Sequence, residues 1–320
     1  MNIAPFTDFD RKEVLSLWAE ALPLDAVTEE IFETRVLLDE NFDAEAFLLA
    51  RDNNNLVGFI IGAYARRMPL GDADPNGGRC WITILAVHPK SNMEEVGGKL
   101  LSELEQRFKK LGKKECFVSG YPPGYFAPGI DQKAYTPLLA LFQSHGYAPY
   151  HEALSMDAPI VLFEVSEDVK KLERTLNENG IVIRQYQRSD LLRFLDFLER
   201  TMPSDWVRVE RRNLRKIEEG TFRTDQITVV AKSKMAQKAT GNDIIGYCQF
   251  EGSHFGPFGV SDAFQGKGIG TVLLARTIER MKQQGYHNAW VMWTDDRAAK
   301  VYGKFGFKET RRFTLLKKEL

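Results

Sequence analysis

Residues 3–17 of this chain are echoed by residues 183–197, and the echo runs on as far as Phe307. Ile3 answers Ile183, Phe6 answers Tyr186, Asp10 answers Asp190 and Leu17 answers Phe197. Farther along, a constant offset of 173 pairs Val87 with Val260, Leu100 with Leu273, Leu101 with Leu274, Gly112 with Gly285 and Val118 with Val291. Gly146 and Tyr147 then pair with Gly306 and Phe307 at an offset of 160. The 13 residues lost between the two offsets fall near Tyr121–Lys133, a proline- and glycine-rich stretch that reads as a long loop. A period near 175 is too long for a solenoid repeat, so the 320 residues hold two diverged copies of one domain.

Each copy shows the same order of elements. A short strand (2–6; 181–186) precedes two helical segments (11–21 and 28–38; 191–201 and 207–218). Three strand-like runs follow: 46–51, 56–65 and 81–87 in the first half, 226–231, 244–250 and 255–260 in the second. A long helix comes next, with Leu100, Leu104, Phe108 and Leu111, or Leu274, Ile278 and Met281, at helical spacing. Gly112 and Gly285 stand where a helix C-cap belongs. A further strand (115–119; 289–293), a helix ending before Gly-Tyr or Gly-Phe, and closing strands complete the unit. The expected fold class is α/β (α+β): two tandem domains, each a mixed, mostly antiparallel twisted sheet flanked by helices. The expected boundaries are 1–158 and 180–320, with 159–179 as a charged helical linker.

Several function classes are excluded by composition. The formal net charge is −1, which gives no electrostatic case for nucleic acid or an anionic membrane. No apolar run approaches the ~20 residues of a membrane-spanning helix. The three cysteines form no CxxC pair, so neither a metal site nor structural disulfides are expected. Residues 1–5 lack a charged head and apolar stretch, so no secretory signal is expected and the cytoplasm is the expected location.

Chemistry is signalled by one run, Gln265-Gly266-Lys267-Gly268-Ile269-Gly270, set between a strand and an amphipathic helix. Glycine lets backbone approach a bulky anion, and the unpaired N–H groups of a helix start attract it. The run reads as a pyrophosphate cradle.

The order of elements, with V-x-x-x-x-Q-G-K-G-I-G at Val260–Gly270 and Y-x-x-x-G-F at Tyr302–Phe307, resembles the GNAT acyltransferase superfamily. The resemblance covers nearly the whole chain as two tandem copies. It implies acetyl-CoA, or a close acyl-CoA, as donor. By that resemblance the backbone of Phe258, Gly259 and Val260 pairs with the pantetheine arm, N–H groups from Gly266 to Thr271 hold the pyrophosphate, and Gln265 and Lys267 flank it. Tyr302 occupies the family position of the acid that protonates the departing thiolate. The acceptor amine needs a base, since neutralising a lysine-like amine at neutral pH costs about 4–5 kcal/mol. Glu251 and His254, beside the expected cleft, are the candidates. Asp295 stands where the family often has an asparagine that contacts the cofactor, and Asp262 where it often has proline.

The first half has lost this constellation. Gln265, Gly266, Lys267 and Gly268 become Asn92, Met93, Glu94 and Glu95, and Tyr302 becomes Phe142. The first domain is therefore expected to be non-catalytic, serving as a partner in an internal pseudo-dimer. Trp206, Arg208, Arg211 and Arg212 lie where an acceptor wall is expected. The leading expectation is an N-acetyltransferase for a small-molecule or peptide amine, with its site in the second domain. The alternative is a non-catalytic acyl-CoA-binding sensor. A Rossmann-type NAD enzyme is disfavoured by the antiparallel character of the strands before the turn. The sequence identifies neither the acceptor nor the oligomeric state.

Overall fold

The structure, a computed structural model, describes residues 1–232 and 244–320. The chain divides into two compact units: residues 1–154 with 311–320, and residues 155–310.

The first unit opens with β1 (Asn2–Pro5), α1 (Arg11–Ala21) and α2 (Glu29–Phe32). The expected helix over 28–38 is α-helical only at first and widens into a π-turn at Glu33–Leu37. Strands β2 (Phe47–Asp52), β3 (Asn55–Tyr64) and β4 (Arg79–Val87) then form an antiparallel meander. After α3 (Met93–Lys110), β5 (Glu115–Val118) returns parallel to β4. A short β6 (Ile130–Asp131), α4 (Thr136–Ser144) and β7 (Ala148–Pro159) follow. The core gathers Trp18, Phe32, Phe47, Phe59, Leu104 and Phe108, all fully buried between helices and sheet.

The second unit repeats the plan. It holds α5 (Glu167–Glu178), β8 (Ile181–Gln185), α6 (Leu191–Thr201), α7 (Ser204–Glu218), β9 (Ile227–Lys232), β10 (Ile244–Glu251) and β11 (His254–Val260). Then come α8 (Ile269–Gln283), β12 (Asn288–Thr294), α9 (Asp296–Gly303) and β13 (Lys308–Glu319). Successive strand residues face opposite ways. On β10, Cys248 and Phe250 join a core with α8 (Val272, Leu273, Ile278), whereas Tyr247 joins one with α6 and α7 (Phe194, Phe197, Leu214).

The units depart from a division by chain position in two ways. The expected second domain ran to residue 320, yet Arg311–Leu320 packs in the first unit. There β13 pairs antiparallel to β5, Leu316 opposite Val118, and to β6, Phe313 opposite Asp131. Arg311 fixes it by ion pairs to Asp25 (2.7 Å) and Asp131 (2.7 Å), two almost fully buried carboxylates. Conversely, Ser155–Pro159 of β7 lies beside β12 in the second unit, and Ser155 Oγ donates to the Met292 carbonyl (2.7 Å). The expected linker is itself a packed element. Its helix α5 lies on α8, with Arg276 Nε donating to Glu173 Oε1 (3.0 Å) and Leu176 buried.

Candidate active site

The site is built where β11 ends and α8 begins. Antiparallel pairing sets Val260, Gly259 and Phe258 opposite Gly246, Tyr247 and Cys248 of β10. On its other side β11 pairs parallel to β12 at His254, opposite Trp290. Among the described residues that pairing goes no further, so the β12-facing backbone of Phe258–Val260 is an open strand edge. A strand edge of this kind displays N–H and C=O groups to an extended ligand.

Between β11 and α8 the chain makes a turn at Asp262–Phe264 and then enters the glycine run. Gly266 (φ 75°) and Gly268 (φ 78°) take left-handed conformations that a side chain would strain. Gly268 is also crowded: an added Cβ would stand 2.7 Å from Leu172 of α5. Among the described residues, no backbone acceptor faces the N–H groups of Gly266, Lys267, Gly268, Ile269 and Gly270. Thr271, expected to extend the row, instead donates its N–H to the Gly268 carbonyl (3.1 Å). The cradle is thus five amides at the positive end of a 15-residue helix. That arrangement fits a diphosphate.

Side chains around the turn are tied to one another. Gln265 Nε2 donates to the Val260 carbonyl (3.2 Å) and to Asp262 (2.7 Å), and its Oε1 accepts from Arg297 (3.3 Å). Asp262 thereby does the work of stiffening the turn. Lys267 and Lys232 both approach the Phe264 ring, at 4.9 and 4.3 Å from its centroid. Asp295 caps α9, accepting from the Ala298 N–H (2.7 Å), which engages the carboxylate within its own helix. Sequence reasoning missed Arg297, Lys232 and Leu172. Leu172 lay in a stretch expected to be linker.

Tyr302 on α9 is almost fully buried, edge-on to Phe255 (5.2 Å) and tilted against Phe258 (6.2 Å) of β11. Burial pushes its phenol well above the ordinary value, Cys248 and Asp295 adding to the shift and the Thr294 hydroxyl opposing it. Glu251 and His254 lie at the far end of β11, where they face each other across the hairpin turn. Glu251 is ion-paired to Lys216 (2.8 Å), and the His254 ring packs on Trp290 (4.5 Å). Of the acceptor-wall candidates, Trp206 packs edge-on to Tyr247 (6.4 Å), and Arg211 is ion-paired to Glu199.

The corresponding place in the first unit is built from different residues. Asn92 caps α3 with its own side chain, accepting from the Glu95 N–H (3.0 Å), and Glu94 and Glu95 occupy the first turn. Gly97 survives for packing: a Cβ there would stand 2.6 Å from Leu141 of α4. Beyond Ile82 and Val118, where β4 and β5 stop pairing, the 121–133 loop brings in Phe126 and Ile130. Together with Ile82 and Val118 these two side chains line the space left there.

Among the described residues no group of His, Cys, Asp or Glu is placed to hold a metal ion, and no helix is long and apolar enough to cross a membrane.

A profile of the acetyltransferase (GNAT) family matches residues 12–122 and 191–307. No curated protein matches the chain. Solved structures that share the fold include the GCN5-related glucosamine N-acetyltransferase region of a fungal multi-domain GH3 β-N-acetylglucosaminidase, with TM-score 0.79 and 16% identity over 99% of this chain. This chain spans 38% of that one. A GCN5-related N-acetyltransferase from Sphaerobacter thermophilus follows at TM-score 0.69 and 16% identity, covering 99% of this chain and 95% of that one. A tandem GNAT protein from the clavulanic acid biosynthesis pathway matches at TM-score 0.63 and 12% identity, covering 99% and 98%. At such identities the likeness is one of fold. The fold and the two matched regions define an acyltransferase. The chain belongs to the GNAT acetyltransferase family, as a tandem member carrying the domain twice.

Proposed function

We propose that the second unit transfers an acetyl group from acetyl-CoA to an amine by direct attack on the thioester, and that the first unit is catalytically silent. The observation that carries this reading is the row of five amides, Gly266–Gly270, that meet no backbone acceptor among the described residues, beside the open edge of Phe258–Val260. The amides hold the diphosphate, Lys267 and Lys232 add positive charge, and Gln265 braces the turn through Val260 and Arg297. The backbone of Phe258, Gly259 and Val260 binds the pantetheine arm as an added strand. Acetyl-CoA supplies an activated acyl carbon and a thiolate leaving group.

Tyr302 is the acid. Its phenol stays protonated across the neutral range because burial opposes its ionisation, and it packs on Phe255 and Phe258 next to that strand edge. A well-placed acid contributes about 10²–10⁴ in rate. Of the two expected bases, Glu251 is held by Lys216 at the exposed hairpin end, and His254 stands at the fork of β11 and β12. The acceptor is an amine of a small molecule or peptide.

The test is thiol release from acetyl-CoA across a panel of small amines, aminoglycosides and peptides, with calorimetric CoA binding alongside. Turnover with at least one amine is expected. Crystals soaked with CoA that show it only against Met93–Gly97, or nowhere, would refute the reading.

A further inference from the structure

A buried carboxyl lies on the other side of the same strand pair. Three contacts register α7 along β10: the Trp206 ring on Tyr247 (6.4 Å), Asn213 Nδ2 donating to Gln249 Oε1 (3.0 Å), and Lys216 Nζ on Glu251 Oε1 (2.8 Å). Glu210, between Trp206 and Asn213, therefore lies at the level of Tyr247 and Cys248. Those residues are the partners of Gly259 and Phe258. Glu210 is fully buried, and so is Tyr247. Both carboxyl oxygens of Glu210, the Tyr247 hydroxyl and Asn213 Oδ1 make no hydrogen bond of ordinary geometry among the described residues, although the Tyr247 hydroxyl stands near enough to the Glu210 carboxyl to act on it as a donor. Four such atoms in one cluster call for an explanation, because an unpaired buried polar group is costly. Tyr302 packs in the α8-side core and Tyr247 in the α6–α7 core, so the two phenols lie on opposite faces of β10 and β11.

We propose that Glu210 takes the proton of the acceptor amine, relayed by the Tyr247 hydroxyl, from the sheet face opposite Tyr302; this rests on acetyl transfer by the second unit. The amine enters past Met202 and Trp206, two half-buried side chains that cover Gly259. A Cβ on Gly259 would stand 2.7 Å from Met202 Sδ and 3.2 Å from Trp206 Cζ3. One proton of the ammonium passes to the Tyr247 oxygen as the Tyr247 proton passes to the Glu210 carboxylate. The nitrogen lone pair forms the N–C bond and the C–S bond breaks. Tyr302 gives its proton to the sulfur and regains one from the nitrogen, and the third hydrogen stays on the amide. Glu210 returns its proton to solvent between turnovers.

Burial raises Glu210 to about 8, with Tyr247 and Arg212 opposing the shift. The raise makes it a stronger base than an exposed carboxylate, nearer in basicity to the amine it must relieve. The titratable and charged groups acting on the Glu210–Tyr247 pair are Cys248 of β10 and Asp205 and Arg212 of α7.

The experiment is the pH dependence of thiol release from acetyl-CoA by the full chain, with primary amines of different basicity. The expected kcat/KM rises through one limb at the same pH for every amine. Glu210→Gln abolishes that limb and lowers kcat about 10²–10⁴-fold, with calorimetric CoA affinity unchanged. Tyr247→Phe also lowers kcat at unchanged donor affinity. A wild-type limb that moves with each amine's own basicity overturns the proposal without any variant. A folded Glu210→Gln protein within about twofold of wild-type rate overturns the role of Glu210 alone. A wild-type chain that binds CoA yet releases no thiol from any amine overturns the transfer reading, and this inference with it.

Discussion

Two buried acids of the second unit lead to opposite kinds of experiment. Tyr302 stays protonated through the neutral range, so its removal should be felt in turnover and not in donor binding. Tyr302→Phe is expected to lower kcat by about 10²–10⁴ while calorimetric CoA affinity holds; an unchanged kcat would remove the acid. Glu210 should be felt in stability as well. Its folded value, about 8, lies above the ordinary carboxylate value, so the folded state binds the proton more tightly than the unfolded chain does. The resulting stability is full below about pH 4 and drains away as pH rises through about 8, at about 1.4 kcal/mol per unit of the raise. Wild-type thermal stability should therefore fall between those limits relative to Glu210→Gln. Parallel curves for the two proteins would show that Glu210 is not held neutral. Its inward position was legible in the spacing of Trp206, Glu210, Asn213 and Ile217, one face of a helix. The arginines beside it hid it, because they drew the reading to an acceptor wall.

Among the elements, the start of α8 is the most exacting. Gly268→Ala must place a side chain at a left-handed position and push its Cβ into Leu172. The backbone cost alone is about 1–2 kcal/mol. Donor affinity should fall at least about tenfold as the amide row shifts, since a tenfold loss needs only about 1.4 kcal/mol. Calorimetry and a melting curve on the variant check both, and wild-type affinity would mean that the turn does not hold the diphosphate. The turn itself was legible because the alternating glycines stand between a strand and an amphipathic helix; glycines alone make plain loops as well. The fork between β11 and β12 was hidden, since it depends on which distant strand declines to pair. The role of α5 was hidden too. A charged segment between two domains reads as a connector until Leu172 and Glu173 are seen against Gly268 and Arg276.

Over the whole molecule, the duplicated chain has one working donor site on the proposed reading. Calorimetry on the intact chain should give one CoA per chain. Two would contradict the silencing of the first unit, where Glu94, Glu95 and the Asn92 cap face the equivalent place. The repeat itself was plain from matched residues at a fixed offset. The reassignment of the final strand was not, because an offset records ancestry and says nothing of which sheet a strand joins. Deleting Arg311–Leu320 strips β5 and β6 of their neighbour and leaves Asp25 and Asp131 buried without Arg311. Hydrogen exchange should then rise across residues 115–131 of the first unit before it rises in α8.

The return of β13 to the first unit also sets an order of events at the ribosome. Amino-terminal domains generally fold first as a chain is synthesised. Here the segment that completes the earlier sheet is translated only after the whole later unit. A nascent chain must carry β5 with a bare edge through all that time, and a stop codon late in the reading frame would cripple the half made first.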